Sequence, residues 1–82
     1  MPERSQASVA LGRAVRDLRK RLRLSQEELG FDSGLHRTYV GGIERGERNP
    51  SWNNIVKLAR ALSVEPAELV KLAQEYGPLD VE

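Results

Sequence analysis

Apolar residues recur along this chain at intervals of three and four positions, the spacing that gives a helix one buried face. A first helix is predicted from about residue 7 to 22, with apolar positions at Leu11, Ala14, Val15, Leu18 and Leu22. Two runs nearer the carboxyl end predict a fourth and a fifth helix, whose apolar faces are Trp52, Ile55, Ala59 and Leu62, and Leu69, Leu72, Ala73 and Tyr76. No segment alternates between apolar and polar residues as a half-buried strand would, so the pattern predicts an all-α protein, a compact five-helix bundle.

Two shorter helices between these runs are indicated by the residues at their ends. The sequence Ser-Gln-Glu-Glu at 25–28 has the form of a capping box, which predicts a second helix to about residue 33. Gly34 would end it, and a third helix would extend from residue 35 to 45, where Gly46 can stop it in a left-handed conformation. A short helix, a turn with glycine and another helix form a helix-turn-helix. We expect this motif at 25–46, within one domain that spans residues 1–82 and has its core at about 9–76.

The third helix contains two adjacent glycines, Gly41 and Gly42. Each glycine inside a helix costs roughly 0.5–1 kcal/mol relative to alanine, so a pair of them needs a reason. Because Val40 and Ile43 define the buried side of this helix, both glycines are predicted to face outward beside Thr38. An outer surface without side chains would let the helix lie close against a large partner. The alternative is that the glycines mark a weak or kinked helix.

Charge and composition narrow the classes of function. The formal net charge is only +1, yet residues 1–24 carry seven basic and two acidic residues, and the other 58 carry six basic and ten acidic ones. This asymmetry fits a surface for a polyanion and a solvated helix face equally well. The chain has no cysteine and one histidine, so we expect no metal site, no cofactor and no enzymatic activity. It has no apolar run that suits a signal peptide or a membrane span, so we expect a cytoplasmic protein without a membrane partner.

The run LSQEELGFDSGLHRTYVGGIERGERNPS resembles the Cro/C1-type (XRE) helix-turn-helix regulators of bacteria and phages, whose fold is lambda-repressor-like. Within that family it is most similar to the controller proteins of restriction–modification systems, and the similarity covers residues 9 to 76. The resemblance implies a transcriptional regulator that binds double-stranded operator DNA in the major groove, as a homodimer on a palindrome. It leaves RNA polymerase open as a third partner. The alternative function is an antitoxin or another protein-interaction module with the same fold.

The resemblance also implies roles for individual residues. The recognition helix would begin near His36, and Arg37 would read guanine, because its guanidinium fork matches the O6 and N7 acceptors. The whole set of implied DNA contacts is Gln26, His36, Arg37, Thr38, Tyr39, Gly41, Gly42, Arg45, Arg48 and Asn49. Arg19 and Glu44 match a family pair that forms a partly buried ion bridge between the first and third helices. The last helices of the family form the dimer, which here implies an interface of Val64, Leu69, Val70 and Leu72.

Several of these residues have a second interpretation that the sequence leaves open. Tyr39 suits packing and phosphate contact about equally, and Gln26 could cap its helix as well as contact phosphate. Arg45 could pair with Glu47 or Glu44 instead of DNA. His36 suits the start of a helix, and Trp52 is predicted to lie in the core beneath the fourth helix. Gly41 departs from the controller pattern, which prefers serine there.

Overall fold

Five α-helices make up the fold in the computed structural model, which describes residues 4–81. They are α1 (Gln6–Arg21), α2 (Gln26–Ser33), α3 (Arg37–Glu44), α4 (Trp52–Ala61) and α5 (Pro66–Glu75). The described part of the chain contains no strand, so the prediction of an all-α protein is confirmed. The ends of the predicted domain, at residues 1–3 and 82, lie outside the described residues. None of the helices between residues 4 and 81 is long and apolar enough to cross a membrane.

Side chains at the helix starts explain why such short helices form. Ser25 accepts a hydrogen bond from the backbone N–H of Glu28 at 2.9 Å, and the Glu28 carboxylate accepts one from the backbone N–H of Ser25 at 2.9 Å. These two bonds complete the predicted capping box, and the one donated by the Ser25 N–H lowers the pKa of the Glu28 carboxyl group. His36 caps α3 through Nδ1, which accepts from the Thr38 N–H at 3.0 Å. The predicted helix-start role of His36 is therefore confirmed.

The core lies where α1 crosses α3 and α5, with α2 and α4 closing it. Its fully enclosed large side chains are Val15, Leu29, Val40, Ile43, Leu58, Leu62 and Leu69. Two glycines allow the closest helix approaches. A methyl group at Gly12 would overlap the carbonyl oxygen of Ile43, and one at Gly30 would overlap that of Leu35. The position of α3 against α1 and α2 therefore depends on backbone-to-backbone contact at these two points.

Three predicted positions are wrong. Leu22, assigned to the apolar face of the first helix, lies just beyond the end of α1 and is 44% exposed. Trp52 is 63% exposed and does not lie in the core. The buried face of α4 is centred on Leu58 and Ala59, and at about 100° per residue Trp52 falls at the edge of that face, in the first turn of the helix. Leu69, predicted at the dimer interface, is fully buried in the chain's own core and offers no surface to a partner. Periodicity identified the apolar side of each helix, but not how far its neighbours cover that side.

Glu44, the last residue of α3, ties three helices together. Arg19 of α1 donates to it twice, from Nε to Oε2 at 2.6 Å and from Nη2 to Oε1 at 2.9 Å. Gln26 of α2 donates from Nε2 to Oε1 at 3.0 Å. The side chains of Arg19 and Glu44 are only 12% and 4% exposed, and the hydrogen bond to Glu44 raises the pKa of Arg19. The predicted, partly buried ion bridge between the first and third helices is therefore present.

The ion pair gives the first prediction. Arg19→Ala should lower the free energy of unfolding by about 3–5 kcal/mol, because it strands the Glu44 carboxylate in a nearly buried position. Urea unfolding of the free protein measures this change. The matched control is Arg16→Ala, which removes an exposed arginine from the same helix and should change stability by less than about 0.5 kcal/mol. Equal unfolding midpoints for the two variants would show that the ion pair contributes nothing.

Candidate nucleic-acid interface

The segment from α2 to α3 has the geometry of a helix-turn-helix. Gly34 ends α2 in the left-handed conformation, with φ 76°, and its N–H donates to the carbonyls of Gly30 and Phe31. The Leu35 N–H then donates to the Gly30 carbonyl at 2.8 Å, and α3 starts two residues later at Arg37. The turn is therefore only three residues long. It holds the first turn of α3 at the surface, in the position from which such a helix enters a major groove.

The predicted contact residues other than Gly41 and Gly42 divide into an exposed group and a half-buried group. The exposed ones are His36, Arg37 and Thr38 at the start of α3, and Arg45, Arg48 and Asn49 at and beyond its end. Gln26 and Tyr39 are half-buried. Gln26 does not cap α2, since Ser25 does, and the Gln26 amide instead donates to Glu44. The capping alternative for Gln26 is therefore wrong.

Arg37 forms an ion pair with a residue that the sequence did not single out. Its Nη1 donates to Oε2 of Glu27 at 2.7 Å, and the two side chains are 64% and 72% exposed. Such exposed pairs contribute about 0–1 kcal/mol, so the guanidinium can readily take another acceptor. No local pattern joins two residues that lie ten positions apart. The pair exists because the turn brings the first turns of α2 and α3 together.

The two central glycines of α3 are covered, and the prediction that they form a bare outer surface is wrong. Gly41 and Gly42 are both buried. A methyl group at Gly41 would lie 3.1 Å from Nη1 of Arg45 and 3.3 Å from Oε1 of Gln26, whereas one at Gly42 would lie 2.8 Å from Cγ of Arg48. The covering atoms belong to polar side chains. The sequence placed the glycines relative to Val40 and Ile43, but it could not place long side chains that fold back over them.

Arg48 lies between Gly42 and the ring of Tyr39. Its guanidinium carbon is 5.9 Å from the ring centroid, a cation–π distance. The Tyr39 hydroxyl accepts a hydrogen bond from Nδ2 of Asn54 at 3.3 Å, and the ring packs against the core. In the free protein Tyr39 therefore has a packing role, and it positions an arginine at the edge of the candidate interface.

Arg45 pairs with Glu47 and not with Glu44. Its Nε donates to Oε1 of Glu47 at 3.1 Å, and Arg4 donates from Nη2 to Oε2 of the same carboxylate at 3.1 Å. Both arginines lower the pKa of the Glu47 carboxyl group, and the hydrogen bond from Arg45 has the larger effect. Glu44 is already occupied by Arg19 and Gln26. The arginines on both sides of the recognition helix thus have exposed carboxylates as partners.

Comparison with known proteins places this arrangement in a family. The helix-turn-helix family model matches residues 15–69. Control protein C.BamHI of Bacillus amyloliquefaciens is 48% identical over 60 residues, which cover 72% of this chain and 74% of that protein. Control protein C.SmaI of Serratia marcescens is 45% identical over 60 residues, with 73% and 71% covered. The crystal structure of the restriction–modification controller protein C.AhdI from Aeromonas hydrophila aligns with a TM-score of 0.74 at 58% identity, over 76% of this chain and 94% of that one.

The covered glycines give the second prediction. Gly41→Ala should stabilise the protein by roughly 0.5–1 kcal/mol, because only the mobile end of Arg45 and the Gln26 amide must move aside. Gly42→Ala should show no such gain, because its methyl group pushes on Cγ of Arg48 and disturbs the stacking on Tyr39. Thermal melting of both variants measures the difference.

A double variant tests the cause of this difference. Adding Arg48→Ala to Gly42→Ala removes the obstructing atoms, so the alanine should then stabilise the protein, relative to Arg48→Ala alone, by as much as it does at Gly41. If the two single glycine variants raised the melting temperature equally, contact with Arg48 would be irrelevant to Gly42.

Proposed function

The chain belongs to the Cro/C1-type helix-turn-helix family of DNA-binding transcription regulators, and from this premise we propose that it acts as a homodimer on a palindromic operator. The similarity to three controller proteins further supports a role as the controller of a restriction–modification system. The observation that carries the proposal is the exposed first turn of α3, which presents Arg37 and Thr38 beyond the body of the protein.

We assign base reading to the residues at the start of α3, and contact with the DNA phosphates to the residues around them. Arg37 would pair with the O6 and N7 acceptors of a guanine, and Thr38 would contact the neighbouring base through its hydroxyl or methyl group. The residues around them supply donors to phosphates, which fix the register of the protein on the duplex. These residues are Gln26, His36, Tyr39, Arg45, Arg48 and Asn49.

A homodimer follows from the energetics of base reading. A single good arginine–guanine pair gives about 1–3 kcal/mol of discrimination, and a second recognition helix related by a two-fold axis doubles it. The apolar surface available for the dimer lies on α4 and α5. Trp52 is 63% exposed, Val56 follows it one turn later, and Val70 is half-buried. Val64 and Leu72 are also half-buried, but they line a separate cleft beside Leu18 and Arg21. We place the interface around Trp52, since exposed tryptophans are frequent anchors of protein interfaces.

The proposed function also implies a cellular location and a candidate protein partner, RNA polymerase. A regulator of this class acts where the chromosome and RNA polymerase are, in the cytoplasm of a bacterium or its phage-infected host. RNA polymerase would bind the outer side of α2, where Phe31 is 88% exposed next to the exposed Asp32. No catalysis is assigned. The only histidine caps α3, and within residues 4–81 no group of acidic or histidine side chains could hold a metal ion.

Selection from random duplex DNA tests the function directly. The purified chain should enrich an inverted repeat with half-sites about one helical turn apart, and it should bind the selected duplex far more tightly than random DNA at the same salt concentration. Recovery of a single, unrepeated site would contradict the homodimer. No enrichment over random sequence would contradict sequence-specific binding.

The third prediction concerns Arg37. Arg37→Ala should weaken binding to the selected operator by about 1–3 kcal/mol and should relax specificity at one base pair in each half-site. Titrations on the operator and on single-base variants of it measure both effects. The control is Arg60→Ala, which removes an exposed arginine from α4. An equal loss on operator and random DNA would show that Arg37 contacts only phosphate.

The fourth prediction concerns Trp52. Trp52→Ala should weaken the dimer by at least about 2 kcal/mol, because it removes a large side chain from the centre of the proposed interface. Sedimentation equilibrium of the free protein measures the dimer dissociation constant. Phe31→Ala is the control, since it removes an even more exposed aromatic ring from α2 and should leave this constant unchanged. If both variants dimerise like the parent, the interface lies elsewhere.

A further inference from the structure

The ion pair between Glu27 and Arg37, at the start of the recognition helix, bears on how the protein would read DNA. We propose that Glu27 is a specificity-determining residue, which orients the Arg37 guanidinium toward a base edge and keeps it away from phosphates. This inference rests on the proposed function, because it requires that Arg37 read a base. Glu27 itself touches no base in this proposal, and it acts through Arg37.

The geometry leaves the reading edge of Arg37 free. Oε2 of Glu27 accepts from Nη1 at 2.7 Å, and within residues 4–81 neither Nε nor Nη2 of Arg37 has a hydrogen-bond partner. Nε and Nη2 lie next to each other along one edge of the planar guanidinium group, and this edge can donate two parallel hydrogen bonds. Arg19 uses the same two atoms to hold Glu44. Arg37 can therefore keep its bond to Glu27 while its free edge pairs with two guanine acceptors.

The position of Glu27 is fixed by its neighbours. It is the second residue of α2 and lies within the Ser25–Glu28 capping box. The preceding residue, Gln26, is held by its hydrogen bond to Glu44 at the far end of α3. The close approach of Gly30 to Leu35 sets the spacing of the two helices. The backbone that carries Glu27 therefore cannot move independently of α3, and the carboxylate can define a direction for Arg37.

Phosphates are the acceptors that compete for Arg37. They are present on every sequence, so an unrestrained arginine at the front of the helix would add affinity for all DNA alike. A carboxylate beside it repels phosphate and occupies one of its donor directions. In water this influence is small, because both side chains are largely exposed. When the interface closes and water leaves, the same charges interact more strongly. The effect of Glu27 therefore belongs to the complex and not to the stability of the free chain.

Glu47 provides a contrast within the same molecule. Its carboxylate is shared between Arg45 and Arg4, and it follows α3 instead of facing the first turn of that helix. Neither of its arginines is placed at a base edge. Glu47 can only reduce attraction to DNA in general, whereas Glu27 holds the one arginine to which base reading is assigned.

Glu27→Gln tests the proposal, because it keeps the shape of the side chain and removes its charge. On the parent's selected operator and on random DNA, at one salt concentration, the ratio of the two affinities should fall about tenfold, mainly through tighter binding to random DNA. The salt dependence on random DNA should steepen by about one phosphate contact. In an Arg37→Ala background, the same substitution should change the ratio by less than about twofold.

Asp32→Asn is the charge-matched control, since it removes an exposed carboxylate of α2 that has no hydrogen-bond partner within residues 4–81. It should tighten both kinds of binding by a similar factor and leave the ratio unchanged. If Glu27→Gln behaved like Asp32→Asn, or kept its effect without Arg37, Glu27 would be only a surface charge. That result differs from failure of the proposed function, in which the parent protein selects no operator and both proposals fall together.

Discussion

The carboxylate of Glu44 receives donors from two other helices, and the placement of the recognition helix depends on it. Arg19 reaches it from α1 and Gln26 from α2, at a position where the glutamate side chain is only 4% exposed. A charge that is so nearly buried is tolerated only when it is paired and its lone pairs are filled. These bonds therefore favour the arrangement of the three helices that the close approaches at Gly12 and Gly30 allow. The interaction at the last residue of α3 thus orients its first turn, where Arg37 lies.

The surface of α3 is organised around charges that are already paired. Arg37 has Glu27, Arg45 has Glu47, and Arg48 stacks on Tyr39. Each of these three arginines therefore has a local partner, a carboxylate for Arg37 and Arg45 and an aromatic ring for Arg48. In the proposed complex, Arg45 and Arg48 would exchange these partners for phosphates, whereas Arg37 would keep Glu27 and add a base. Since exposed ion pairs are weak, such an exchange costs little, yet it keeps general attraction to polyanions low.

Sequence reasoning reached those features that depend on short-range rules or on the family resemblance. Helix number, the Ser25 capping box and the His36 cap follow from spacing and side-chain chemistry, and the Arg19–Glu44 pair came from the resemblance. The misplaced features depend on how helices cover one another. Trp52 at the rim of α4 and Leu69 inside α5 differ in exposure although both belong to apolar faces. The side chains over Gly41 and Gly42 and the pairing of Glu27 across the turn required three-dimensional positions, because no periodicity relates those residues.

Low attraction to random DNA and good recognition of an operator are compatible when one arginine has two kinds of acceptor. If Glu27 acts as proposed, Arg37 would gain a phosphate on random DNA only against the repulsion of that carboxylate. A correctly placed guanine would instead offer two acceptors to the free edge of Arg37 and leave its bond to Glu27 in place. In the proposed homodimer the same difference would occur in both half-sites, so the discrimination factor would be squared. A nearly neutral chain of 82 residues can thus be selective through the direction in which it holds an arginine, and not through the number of its basic residues.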